Sequence, residues 1–248
     1  MSNSLKLRDI HKSFASSKVL KSISVEFNQG TVTSIVGDNG AGKSTLCKII
    51  SGFLPSDSGT VMLGETSLTN LGPMNIRNLG VEMIYQDLAL VKQQGVITNL
   101  FLGRELVRSP FAFLNRRQMA KRAAILLGEL GVTIRDLSVP VNALSGGQQQ
   151  CIAIARALLF SPKVVILDEP TASLAVREIE QVLGIIRNLK SRGIIVILVS
   201  HRLNDVFAVS DRIITLHSGE IAADELVSET SIQKIVQHMV GATVSKMG

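Results

Sequence analysis

Nine residues in this chain could hold phosphate. "GDNGAGKST" runs Gly37, Asp38, Asn39, Gly40, Ala41, Gly42, Lys43, Ser44, Thr45 and fits G-x-x-x-x-G-K-[ST]. The chemistry needs these residue types. Glycines adopt backbone angles closed to other residues, so successive N–H groups can point inward at phosphate oxygens. A helix starting near Lys43 adds the positive end of its dipole. Lys43 reaches the β- and γ-phosphates, and the Ser44 hydroxyl suits magnesium. The bare pattern also fits an ordinary strand–turn–helix corner, but its place between an apolar run and a helical one favours the phosphate reading.

Further on, "VVILDEP" ends an apolar run in two adjacent acids, Asp168 and Glu169, before a proline. Ligands of open α/β sheets bind at the carboxyl ends of strands. An acid there can hold magnesium through water, and its neighbour can orient or deprotonate an attacking water. Alone, the pair reads equally well as two solvated carboxylates. Between the two motifs lies "LSGGQQQ", in which Ser145 and Gln148 form S-x-x-Q, a capping box opening the helical pattern "QCIAIARALLF". A cap does not require Gly146 and Gly147 within it. Two glycines there predict a bare helix start, open to a phosphate.

The elements that position these residues follow from periodicity. "SLKLRDI" and "KSISVEF" alternate as antiparallel strands. "TVTSIVG" (31–37) reads as a buried strand, followed by a helix from about Lys43 to Gly52. "SGTVMLG" reads as a strand or hairpin arm, and "GVEMIYQ" as a strand ending at Gln86. From about 87 to 145 the pattern becomes that of a mainly helical insert, with Met119, Ala123, Leu126, Leu127 and Leu130 on one helical face. Then the βα rhythm resumes: a helix to Phe160, strand "KVVILD", a helix from Val176 to Arg192, strand "IIVILVS", short helix "LNDVFAVS", strand "RIITLHSGEI" and last helix "SIQKIVQHMV". This alternation predicts an α/β fold with a mostly parallel sheet flanked by helices.

Composition narrows the function. With 248 residues, 46% hydrophobic and 19% charged, the chain can bury a substantial core. No apolar run approaches the roughly 20 residues that cross a bilayer, and "MSNSLKLRDI" has no apolar signal core, so export is not expected. Cys47 and Cys151 lack metal-ligand spacing and read as reduced core thiols. The net charge of +6 suits phosphate or anionic lipid as well as nucleic acid. The basic residues are scattered. The densest group, Arg116, Arg117, Lys121 and Arg122, reads as a solvated helix face. With no Trp and one Tyr, a base-stacking sheet is not expected, nor a nucleic-acid partner.

"GDNGAGKST", "LSGGQ" and "ILDEPT", in this order, resemble the nucleotide-binding subunit of an ATP-binding cassette (ABC) transporter, and the resemblance runs from about Leu5 to Gly241. It implies a P-loop NTPase ABC cassette: one domain over 1–248, with an N-terminal antiparallel β subdomain and a helical subdomain at about 87–145. It implies ATP and Mg2+ as ligands, and roles for single residues. Phe14 matches the aromatic that stacks on adenine. Gln86 matches a glutamine that touches magnesium and water. His201, in "LVSHR", matches the histidine that contacts the γ-phosphate. Glu169 would be the base, and Ser44, Gln86 and Asp168 would face the metal. Family cassettes pair head to tail, each ATP lying between the phosphate loop of one and Ser145, Gly146, Gly147 and Gln148 of the other. This implies a dimer, with a second copy of the chain as the expected partner. ATP closes the pair, hydrolysis releases it, and permease subunits in the membrane are moved.

Subtype marks point to monosaccharide importers of the ribose/xylose/fructose type: "LAVREIEQVL", "SHRLNDVFAVSDRIITLHSGE", "IYQDLAL" and "NLFLGREL". That implies a sugar-binding protein as indirect partner and the cytoplasmic face of the membrane as location. The other reading is a soluble ABC ATPase acting on nucleic acid or ribosomes, but no coiled-coil or tandem-cassette insertion is visible. There are departures from the family pattern. Ala175 stands where many cassettes have aspartate; "LVKQQGVITNLFLG" lacks a usual proline; "NQGTVTSIVG" lacks a common Gly-Glu. None falls on an expected catalytic position, and Ala175 is expected to affect communication between sites.

Overall fold

The structure, a computed structural model, describes residues 4–108 and 113–241. Its strands are β1 (Leu5–Phe14), β2 (Ser17–Phe27), β3 (Val32–Gly37), β4 (Ser58–Leu63), β5 (Thr66–Ser67), β6 (Val81–Ile84), β7 (Val107–Arg108), β8 (Phe113–Leu114), β9 (Val164–Asp168), β10 (Ile195–Val199), β11 (Arg212–His217) and β12 (Glu220–Leu226). Its α-helices are α1 (Lys43–Ile50), α2 (Pro73–Asn78), α3 (Val96–Phe101), α4 (Arg116–Glu129), α5 (Gly146–Leu158), α6 (Val176–Ser191), α7 (Leu203–Val209) and α8 (Ile232–Met239).

Two sheets organise these elements. β2-β1-β4-β5 is antiparallel, with Leu5 opposite Phe27 and Leu63. The central sheet runs β12-β11-β3-β10-β9-β6; it is parallel except for β12. Strands buried on both faces read as continuous apolar runs, as "VVILD" and "IVILV" do. Successive side chains of a strand point to opposite faces. Val165, Leu167, Val196 and Leu198 therefore join one core with α4, α5 and α6. Val164, Ile166, Ile195 and Ile197 join the other, with α1 and the antiparallel sheet.

Helix α6 buries Ile179, Val182, Leu183, Ile186 and Leu189 at spacings of three and four. Each contributes roughly 1.5–3 kcal/mol of burial. Helix α4 buries Met119, Ala123, Leu126 and Leu127, and Leu130 follows at its end. Among the described residues no helix is long and apolar enough to cross a membrane.

Three elements differ from the sequence reading. "RIITLHSGEI" is a hairpin, because Ser218 and Gly219 take φ of 49° and 84° and reverse the chain between β11 and β12. The strand in "GVEMIYQ" stops at Ile84, so Gln86 sits in the following bend. Between β6 and α5 the chain holds the short helix α3, the β7–β8 hairpin and irregular segments as well as α4. The hairpin strands have two residues each, too few for a visible alternation.

Candidate active site

The carboxyl ends of β3, β10, β9 and β6, neighbours in the central sheet, open onto one cavity of about 320 Å³. Its lining includes Asn39, Gly40, Gly42, Lys43, Ser44, Thr45, Gln86, Asp168 and Glu169. The phosphate loop leaves β3 at Gly37 and enters α1 at Lys43, with Gly42 as N-cap at φ 103°. A Cβ on Gly42 would meet Leu20 Cδ2 at 2.6 Å and the Val19 carbonyl oxygen at 2.9 Å, so the β2 backbone holds the loop from behind. Lys43 Nζ donates to the Gly37 carbonyl at 2.7 Å and the Asp38 carbonyl at 2.9 Å. Burial lowers its ammonium pKa, opposed by the charges of Glu169, Asp38 and Asp168.

Asp168 is the last residue of β9. Burial raises its carboxyl pKa, and the adjacent Glu169 charge adds to this, while Lys43 opposes it. Glu169 is held in an uncommon backbone state, φ 52°, which costs a non-glycine residue of order 1 kcal/mol. Its N–H donates to the Val199 carbonyl at 2.8 Å, tying the strand end of β9 to that of β10. Its Oε1 accepts from the His201 N–H at 3.1 Å, and its Oε2 lies 2.8 Å from His201 Nδ1, an ion-pair distance without hydrogen-bond alignment. The ring of His201 is otherwise mostly exposed.

Sequence reasoning missed what braces this pair. Asp205, buried on α7, accepts from the Thr171 hydroxyl at 2.7 Å and from Arg202 Nε at 2.9 Å. It joins the turn after Glu169 to the turn after His201. The only signal in the sequence is an acid inside the apolar pattern of "LNDVFAVS". Also missed was buried Glu82, which Arg77 meets at 3.1 Å and Arg104 at 2.8 Å. It joins α2 and β6 to the segment after α3.

Phe14, at the end of β1, is 48% exposed, with Lys12 Nζ 5.7 Å from its ring centre. An exposed ring is not a core phenylalanine, and the Lys12 ammonium lies over one of its faces. Ser145, Gly146, Gly147 and Gln148 open α5 and do not line the cavity. The capping box is formed: the Gln148 N–H donates to Ser145 Oγ at 3.3 Å, and the Ser145 N–H to Gln148 Oε1 at 3.1 Å. The helix start is not bare as expected. The Gly147 N–H donates to Glu178 Oε1 at 3.1 Å, because α6 packs across it.

The donor set fits a nucleotide triphosphate and magnesium. The cavity presents an ammonium, loop glycines at a helix start, hydroxyls of Ser44 and Thr45, an amide oxygen at Gln86 and two carboxylates. Hard oxygen donors of this kind suit magnesium. The sequence profile of the ABC transporter family matches residues 20–172. The chain belongs to the ABC transporter family. A xylose/arabinose import ATP-binding protein of Sulfolobus acidocaldarius is 41% identical to this ABC chain over 247 residues, all of this chain and 98% of the relative. A ribose import ATP-binding protein of Bacillus licheniformis is 38% identical over 98% of the ABC chain, which spans about half, 49%, of that relative. Among solved structures, an ATP-binding cassette of an ABC transporter superimposes with a TM-score of 0.83 at 28% identity, covering 98% of this chain and 99% of the other. A dimeric bacterial ABC transporter cassette does so with 0.77 at 26% identity, covering 90% of this chain and 98% of the other.

Proposed function

We propose that this chain is the ATP-hydrolysing subunit of a membrane importer for a monosaccharide, working as a dimer of two copies. One observation carries the reading. The phosphate loop, acid pair and Gln86 share one cavity, with His201 against Glu169, while Ser145–Gln148 stand outside it. A complete site therefore needs the α5 start of a second copy. Relatives named for xylose, arabinose and ribose import support the sugar assignment.

In this reading Lys43 gives up the Gly37 and Asp38 carbonyls to hold the β- and γ-phosphates of ATP, with Phe14 against adenine. Asn39, Gly40 and Gly42 border the phosphates, and Gly37, Asp38 and Ala41 shape the loop. Ser44, Gln86 and Asp168 would hold magnesium, which when bound neutralises charge on the phosphate oxygens. Glu169 accepts the proton of the attacking water as its oxygen bonds to the γ-phosphorus and the bond to ADP breaks. His201 holds the Glu169 carboxylate in place and contacts the γ-phosphate.

A permease segment docks in a second cavity of about 290 Å³, bordered by Phe53, Met74, Tyr85, Leu102, Arg77 and Arg156. Phe53 and Met74 are largely exposed there. Arg156, on α5, donates to the Leu88 and Ala89 carbonyls at 2.8 Å, so the groove touches both the segment after Gln86 and the helix that begins at Ser145. In this reading the chain works at the cytoplasmic face of a membrane.

Glu169→Gln is the test. It should keep ATP binding, slow turnover by at least about a hundredfold, consistent with general base loss, and accumulate an ATP-bound dimer on size-exclusion chromatography. Unchanged turnover would show that Glu169 is not the base. Purification from membranes should recover a multi-span permease; ribosomes or DNA in its place would favour the soluble ATPase.

A further inference from the structure

Glu178 stands in the first turn of α6 and reaches across to α5. Its Oε1 accepts from the Gly147 N–H at 3.1 Å and its Oε2 from the Ala175 N–H at 3.1 Å. Hydrogen bonds with Ser145 first, then Ala175 and Gly147, hold its carboxyl pKa below the ordinary glutamate value. The contact is close. A Cβ on Gly147 would lie 2.7 Å from both Cβ and Cγ of Glu178, so only glycine lets this side chain lie over the helix start. Nothing in the phosphate chemistry of the main cavity requires Glu178, which lies outside its lining.

Ser145 and Gly147 are also the groups that the proposed function assigns to the nucleotide of a second copy. Carboxylate and phosphate oxygens seek the same N–H and O–H donors, and both are anionic. A phosphate that takes the Gly147 N–H must displace the Glu178 carboxylate from it. We infer that Glu178 is an internal stand-in for that phosphate: it fills the α5 start in the single chain, must leave before the second copy's nucleotide docks there, and so sets the ATP concentration at which two copies close. The same movement releases the Ala175 N–H. Ala175 has no side-chain oxygen, and among the described residues Glu178 supplies the side-chain acceptor at the start of α6. Docking at Ser145 and Gly147 is thereby transmitted to the segment that follows the acid pair. This rests on the dimer reading above.

The experiment is an ATP titration of dimer formation in the Glu169→Gln protein, with and without Glu178→Gln. Glutamine keeps the length and one acceptor oxygen but removes the charge. The midpoint ATP concentration for dimerisation should fall about two- to fivefold, the range expected for one solvent-screened charge. ATP affinity of the single chain, measured by nucleotide fluorescence at protein concentrations below dimerisation, should stay the same. Glu178→Met, which lacks both charge and acceptors, should lower the midpoint as well. A merely structural Glu178 would leave the midpoint unchanged or raise it, and either result overturns the inference. If the Glu169→Gln parent forms no ATP-dependent dimer, the dimer reading fails and this inference falls with it. A dimerising parent whose midpoint ignores Glu178 sinks the inference alone.

Discussion

At the residue scale, Lys43 shows how the glycine loop holds its own cation. Its ammonium donates to the Gly37 and Asp38 carbonyls, which fixes the charge inside the loop. Charge-assisted hydrogen bonds contribute about 1.5–3 kcal/mol each. Lys43→Ala should therefore weaken ATP binding at least about tenfold, read by nucleotide fluorescence; undiminished binding would remove the phosphate-loop assignment. The spacing Gly37–Gly42–Lys43–Ser44 made this loop legible, because the backbone geometry depends on residue types at fixed intervals. Asp205 was not legible. Its partners Thr171 and Arg202 come from different turns, and a buried acid in a helical pattern looks like any solvated one until the turns meet.

At the element scale, the start of α6 lacks a side-chain cap from its N-cap residue. Ala175 has backbone angles suited to an N-cap, φ −71° and ψ 156°, but no side-chain oxygen, and the Glu178 N–H donates to the Ala175 carbonyl at 2.9 Å in its place. Ala175→Ser should complete the box and add about 1 kcal/mol, raising the melting temperature by roughly 2–4 °C for a domain of this size. A melting temperature that stays put or falls in thermal unfolding would contradict this account of the helix start. Alternation exposed β1 and β2, and helical periodicity exposed the α4 face. Short elements such as α2, α3 and the β7–β8 hairpin carry too few residues for a period to emerge, and tertiary contact with longer elements determines them.

At the scale of the whole molecule, two surfaces stand apart from the main cavity. One is the α5 start, which does not line it. The other is the groove where Phe53 and Met74 are exposed, with the Phe53 ring edge-on to Tyr85 at 5.4 Å. Phe53→Asp should leave ATP turnover of the isolated chain within about twofold, as expected of a surface change away from the chemistry, and should abolish recovery of the permease from membranes. Intact recovery would move the docking surface elsewhere.

By itself the sequence determined the α/β class, the phosphate loop, the acid pair, the capping box and the family. Each of these depends on residue types at short fixed spacings, where local geometry is decided. Only the tertiary structure decided which strand ends are neighbours, that Gln86 stands beyond its strand, and that Asp205 ties two loops together. It also placed a carboxylate from α6 on the Gly147 N–H. Those facts depend on how α5, α6 and α7 pack against the central sheet, and contacts between residues 31 apart in the chain leave no periodic trace along it.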